Sequence, residues 1–263
     1  MGDAAFLAGI VDLERYPIAD PASPQGRALV DDCHRQLDET GVCLLPGFIR
    51  PAPLSSMIGE ACALAPHAHH TDHWRSVDYE LDRNPDDPAP RATRASIGAV
   101  AYDRLTPDAP LRGLYESDEF TAFIAAALNA RPLYRCADPL TSCMLTVAGS
   151  GDELGWHYDA NDGVVSLLLQ SAASGGGFEF APGSRDHGAA TLDMENAIMD
   201  GGHKGVVRLP LEPGTLSLFN GHHSLHRVTP VGGDQPRIIA LFSYSDEPDY
   251  VFSDKIHRNF FGR

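Results

Sequence analysis

The sequence predicts a mainly β fold, a sandwich or jelly roll with flanking helices. Three observations predict it. From about Leu133 onward the chain breaks into short apolar runs: "TSCMLTVA", "GVVSLLLQ", "GGFEFAP", "KGVVRLPL", "GTLSLFNG", "SLHRVTPV" and "PRIIALFSY". Gly, Pro, Asn and Asp separate them, and strands of that length and spacing build sandwiches and jelly rolls. Gly and Pro number 25 and 20 in 263 residues, which supplies many turns. Helical periodicity is confined to the part of the chain before these runs.

Taken in order, "QGRALVDDCHRQLDETG" carries apolar residues at helical spacing and stops at Gly41. "VCLLPGF" is a short apolar run suited to a strand. "PAPLSSMIGEACALAP" opens on prolines, which a first helical turn accepts, and ends near Pro66. "LRGLYESDEFTAFIAAALNA" reads as a third helix. Residues His73 to Arg94 are polar and proline-rich and read as a long, lid-like loop. The expected organisation is one domain over 1–263. A mainly helical part with the loop fills 1–132, the jelly-roll core 133–250, and a tail 251–263.

Composition removes several function classes. Apolar residues make up 43% of the chain, so it can bury a core. The formal net charge of −16 repels phosphate backbones and anionic lipid, so neither nucleic acid nor membrane is an expected partner. No apolar run approaches ~18 residues. Cys33, Cys43, Cys62, Cys136 and Cys143 form no C-x-x-C pair, and their odd number argues against a disulfide framework. "MGDAAFLAGIVDLERYP" lacks the apolar core of a signal peptide. A cytoplasmic monomer or homodimer acting on a small molecule is the expectation.

Two stretches compete as metal site. "HAHHTDHW" holds four of the twelve histidines, at His67, His69, His70 and His73. It lies outside the β region, where a helix gives way to polar chain, and is read as no designed site. "GWHYD" holds only His157, but Asp159 follows two residues later and points to the same side of a strand. "SLHRVTPV" offers His226 as a third ligand. Two histidines and a carboxylate form a facial triad with open positions, the ligand set of non-haem Fe(II) oxygenases. Arg237 follows eleven residues after His226. Alternation puts Arg237, Ile239, Leu241 and Ser243 on one face. A guanidinium there suits a distal carboxylate.

His157-x-Asp159, His226 and Arg237 together resemble the pattern of iron(II)/2-oxoglutarate-dependent oxygenases. "GDELGWHYD", "GGGFEFAPGSRD" and "GTLSLFNGHHSLHRVTPVGG" are similar to the ArpA-like bacterial branch, some of whose members hydroxylate or halogenate free amino acids in secondary metabolism. The resemblance covers about Leu133 to Tyr250. It implies a double-stranded β-helix, Fe(II) on His157, Asp159 and His226, and 2-oxoglutarate paired with Arg237. It implies O2 consumption, release of succinate and CO2, and hydroxylation of an unactivated C–H bond. Halogenating relatives replace the acidic ligand with Gly or Ala, so the intact Asp159 favours hydroxylation over chlorination. Desaturation, cyclisation or a peptide substrate would use the same ligands. A cupin-type metal protein or a non-catalytic sensor is the rival class.

Further residues are candidates for the pocket. Ser243 shares the Arg237 face and is assigned to 2-oxoglutarate. Thr146, Trp74, His223 and Arg185 are assigned to the substrate pocket. Alternation turns Glu179 outward, and turns Trp156 and Tyr158 away from His157 as packing support.

Overall fold

The apolar runs after Leu133 become strands of one strongly curled antiparallel sheet. The fold is seen in a computed structural model describing residues 3–77, 91–159, 164–187 and 190–263. Its helices are α1 (Asp3–Ile10), α2 (Pro24–Thr40), α3 (Pro51–Leu64), α4 (Pro110–Glu116), α5 (Asp118–Ala127), α6 (Ala190–Met199) and α7 (Asp254–Phe261). The strands are β1 (Val42–Leu45), β2 (His69–Ser76), β3 (Ala92–Val100), β4 (Tyr134–Arg135), β5 (Cys143–Ala148), β6 (Glu153–His157), β7 (Val164–Gln170) and β8 (Ser174–Gly175). They continue as β9 (Phe178–Ala181), β10 (Val207–Arg208), β11 (Leu216–Phe219), β12 (Leu225–Val228), β13 (Val231–Gly232), β14 (Arg237–Phe242) and β15 (Tyr244–Ser245).

The main sheet runs β1-β11-β7-β14-β5-β3-β6-β12-β9-β10, with β2 paired to β3. The expected jelly roll is therefore present. The sheet curls so that strands at both ends of this order line one internal cavity, among them β1 and β14 from one part and β9 and β12 from the other. Period-two alternation divides each strand. On β14, Ile238, Ala240 and Phe242 enter the large core under the helices, while Arg237, Ile239 and Leu241 line the cavity. On β7, Val165, Leu167 and Leu169 face the core, while Val164 and Ser166 face the cavity. A barrel apolar on both faces is rigid on both, and that rigidity holds a ligand set in place.

The helices follow local chemistry. Ser23 caps α2 by accepting from the Gly26 N–H at 3.0 Å, and Pro24 sits where its missing N–H costs nothing. The expected single helix after Leu111 is two, because Ser117 leaves the helical conformation and caps α5 by accepting from Phe120 N–H.

The first 132 residues hold α1 to α5 and also supply β1, β2 and β3 to the sheet. Two expectations are corrected. The stretch read as a loop from His73 begins inside β2 and ends inside β3. Residues 78–90 of that loop lie outside the described residues. The segment after 250 is no mere tail, because α7 docks against β2 and β3 and buries Phe261.

Asp138 anchors that C-terminal segment. Its side chain is wholly buried and accepts from the N–H groups of Leu140, Thr141 and Phe252, each at 2.8 Å, and from His257 Nε2 at 2.7 Å. Burial alone would raise its pKa; the three backbone donors and His257 outweigh burial and hold it below 3.8. A depressed carboxylate contributes stability that is present above the unfolded value and lost as pH falls through the folded one. Asp138→Asn is expected to lower stability by about 2 kcal/mol at neutral pH. The measurement is a denaturant midpoint at constant slope. A change of under about 0.5 kcal/mol would mean that the charge is not what these donors hold.

Candidate metal centre and its cavity

His157 closes β6, and His226 lies opposite it on β12. Three residues on β12, His226 to Val228, face four on β6, Leu154 to His157. This bulge brings Leu154 and His157 to the same inner face although their spacing is odd. The imidazole centroids are 4.0 Å apart. His157 Nδ1 donates to the Gly155 carbonyl and His226 Nδ1 to the Ser224 carbonyl, both at 2.8 Å. A carbonyl only accepts, so the proton sits on Nδ1 and the Nε2 lone pairs are left free.

Asp159 stands between those lone pairs. Its carboxylate oxygens lie 3.6 Å from His157 Nε2 and 3.3 Å from His226 Nε2. The three donor atoms lie within 4.8 Å of one another, the only such cluster found among the described residues. The Asp159 backbone is held on both sides: its N–H donates to the Gly221 carbonyl, and its carbonyl accepts from His222 Nδ1. A Cβ on Gly221 would come within 1.9 Å of the Asp159 carboxylate, so only glycine leaves room for this rotamer. Burial above all, with the charges of His226 and Arg75, pushes the His157 pKa well below 6.5. His157 is thus neutral at pH 7, the form that ligates metal.

The triad opens into a cavity of about 730 Å³, its mouth included. Most of the wall is apolar, with Phe178, Phe219, Ile239 and Leu241 among its residues. Ser166 and Ser217, opposite each other on β7 and β11, share a hydrogen bond of 2.7 Å. Arg237 also lines the cavity; it is 6% exposed, and no carboxylate pairs with it among the described residues. Burial lowers its pKa to about 10, so it remains a cation at neutral pH. A mostly apolar pocket with three convergent candidate ligands and, among the described residues, one unpaired guanidinium fits a metal ion plus a dicarboxylate.

A family profile described as Halogenase D (HalD) matches residues 26–259. The chain belongs to the Halogenase D family. The solved structures most like this family member include the epimerase SnoN from nogalamycin biosynthesis with Fe3+, α-ketoglutarate and nogalamycin RO. It has a TM-score of 0.58 at 15% identity, over 84% of each chain. AviO1 from Streptomyces viridochromogenes Tue57 has a TM-score of 0.53 at 18% identity, over 84% of this chain and 95% of that one. HygX from Streptomyces hygroscopicus, with nickel, 2-oxoglutarate and hygromycin B bound, has a TM-score of 0.53 at 14% identity. That match covers 80% of this chain and 85% of HygX. At such identities the likeness shows the double-stranded β-helix fold. No curated protein matches the sequence. With the family match, the chain is a non-haem iron, 2-oxoglutarate-dependent enzyme. Among the described residues no helix is long and apolar enough to cross a membrane.

The other sequence-derived candidates scatter. In this Halogenase D chain Thr146 lines the metal cavity on β5, opposite Ile239. Ser243 does not, because β14 ends at Phe242 and alternation ends with it. Its hydroxyl donates to the Thr141 carbonyl at 2.7 Å. Trp74 is 69% exposed on β2 and lines no cavity near the metal. His223 stacks edge-on against His222, and the Arg185 guanidinium lies 4.0 Å over the Tyr158 ring. Glu179 does face outward, paired with Arg227 at 2.7 Å, and Trp156 and Tyr158 pack in a buried cluster away from the metal. Of the "HAHHTDHW" stretch, His67 ends a 3-10 turn, while His69, His70 and His73 are spread along β2, with His70 tied to Asp152 at 2.8 Å.

A second cavity meets the first at Asp159, Val164 and Leu241. Tyr158, Phe252, Phe260 and the cationic Arg75 line it. Sequence reading missed Arg75 because a β2 read as loop has no alternation to point it inward. It missed Phe252 and Phe260 because they lie in the supposed tail.

Proposed function

We propose that this enzyme hydroxylates an unactivated C–H bond of an amino acid or amino-acid-derived metabolite. His157, Asp159 and His226 would hold Fe(II), and Arg237 would pair with the C5 carboxylate of 2-oxoglutarate. The observation that carries the reading is Asp159 standing between the two Nε2 atoms, where halogenating relatives keep a vacancy for halide. The iron, with 2-oxoglutarate and O2, supplies the oxidation of the C–H bond, and the co-substrate leaves as succinate and CO2. The chain's own work is position. The Gly155 and Ser224 carbonyls fix the imidazole rings. The apolar wall excludes water from the reacting atoms. Substrate would lie in the second cavity, its carboxylate toward Arg75 and its reacting carbon toward Asp159 and the metal.

The test is an anaerobic titration with Fe(II) and 2-oxoglutarate, followed by the weak visible charge-transfer band of the chelate. One iron per chain and a band that Arg237→Ala weakens are expected. The double variant His70→Ala/His73→Ala should leave both unchanged. Amino acids are then screened for succinate release and for a product heavier by one oxygen, with no chlorinated product in added chloride. Iron bound without a band would overturn the oxygenase assignment. Iron lost from the His70/His73 variant would move the metal site to β2.

A further inference from the structure

A third cavity lies behind Arg237, away from Asp159. Ser171, Ala172, the backbone of Gly175, Gly176 and Gly177, and Arg208 line it together with Arg237. Arg237, Phe178, Leu209 and Leu211 belong to this cavity and to the metal cavity alike, so the two spaces abut at the buried guanidinium. The glycine strip makes room for the cations. A Cβ on Gly176 would sit 3.3 Å from Arg237 Cδ, and one on Gly177 would sit 2.6 Å from Arg208 Nε. Arg208 is exposed on β10. Its cross-strand neighbour Glu179 is taken by Arg227, and no acid pairs with Arg208 among the described residues.

Two guanidiniums without acids, one at a mouth and one at its floor, are unusual on a chain of formal charge −16. Such a surface repels a dianion, and a cationic mouth gives it a local route inward. The opposite side of the metal cavity, by contrast, presents the Asp159 carboxylate and the second cavity.

We propose that 2-oxoglutarate enters and succinate leaves through this rear port, separately from the substrate, with Arg208 capturing a carboxylate before Arg237 anchors it. The proposal rests on the co-substrate reading above. It gives a use to the cavity that meets the buried anchor without touching the metal-site residues. It also lets succinate depart while the oxidised product still fills the second cavity.

Stopped-flow mixing of anaerobic Fe(II) enzyme with 2-oxoglutarate, read by the charge-transfer band, tests it without turnover. Arg208→Ala is expected to slow association about threefold and to flatten its salt dependence, and Arg208→Glu to slow it about tenfold or more. Ala172→Phe narrows the port. It is expected to slow association and dissociation by the same factor, so that affinity stays within about twofold while both rates fall. A merely structural role for Ala172 would not leave affinity intact. Wild-type rates in both Arg208→Glu and Ala172→Phe would overturn the port and leave the co-substrate reading standing. Absence of any band in iron-loaded wild type would bring down both.

Discussion

Asp159→Ala is expected to abolish product formation, with a loss of more than about a hundredfold. Partners one bond removed from a metal already cost 10- to 100-fold when changed. Asp159 would be a ligand itself and the only anion of the three. The loss should come with a folded protein, because the carboxylate is 25% exposed and its backbone contacts to Gly221 and His222 do not depend on the side chain. The discriminating measurement is thermal. A ligand that binds only the folded state raises its stability in proportion to the logarithm of its concentration over Kd. Fe(II) should therefore raise the melting temperature of wild type and shift that of Asp159→Ala far less, while the metal-free proteins melt within a few degrees of each other. Gly221→Ala gives an independent check, since its methyl would collide with the Asp159 carboxylate and turn it from the imidazoles. It should reproduce part of the loss with all three ligands present in sequence. Equal iron-induced shifts in wild type and Asp159→Ala would remove Asp159 from the coordination sphere.

The candidate metal centre is legible in the sequence because its information is local. His157 and Asp159 stand two apart, and strand alternation puts them on one side. Arg237 opens a strand whose inner face is regular for five residues. The geometry that brings His226 opposite His157, however, depends on the bulge between β6 and β12, and no residue in "ELGWH" announces it. The same limit explains Ser243. Alternation extrapolates only while a strand continues, and β14 stops at Phe242.

The substrate side is illegible for a different reason. Among the described residues β2 is an edge strand, polar on both faces, and pairs only with β3. Polar two-sided strands show no hydrophobic period, so "HHTDHWRS" reads as loop. With β2 lost, Arg75 has no direction, and the cavity it lines has no visible wall. The rest of that wall includes Tyr158 and, from the C-terminal segment, Phe252 and Phe260. Asp138 holds that segment by accepting from Phe252 N–H and His257, and α7 packs on β2 and β3. A scan for periodicity does not see long-range closure of this kind. The chain thus spells out its reaction in short motifs and encodes its substrate in tertiary contacts.

Arg237→Met is expected to stabilise the apo protein while it destroys co-substrate binding. Lowering the guanidinium pKa from its ordinary value to about 10 corresponds to roughly 3 kcal/mol for keeping that charge buried. No carboxylate offsets that cost among the described residues, and the surrounding wall is Phe178, Leu209, Leu211 and Ile239. A methionine of similar length fills the same space without the charge, so a gain of about 1–3 kcal/mol in apo stability should appear. The sign with pH follows from the direction of the shift. A base whose folded pKa is depressed carries its full penalty below that pKa and sheds it as pH rises toward the unfolded value. The gap between the two proteins should therefore be constant from pH 6 to 9, since the guanidinium titrates only near pH 10 and above. Denaturant midpoints measure it. In the same variant, 2-oxoglutarate affinity should fall by about a hundredfold or more, the loss of a buried charge-assisted pair. Arg237→Lys should recover only part of it, because an ammonium keeps the charge but not the two parallel N–H bonds. If Arg237→Met were instead less stable than wild type, the guanidinium would be a structural pillar with a partner of its own. A gain in stability joined to a loss of binding would identify Arg237 as a charge kept buried at the fold's expense for a carboxylate that arrives from outside.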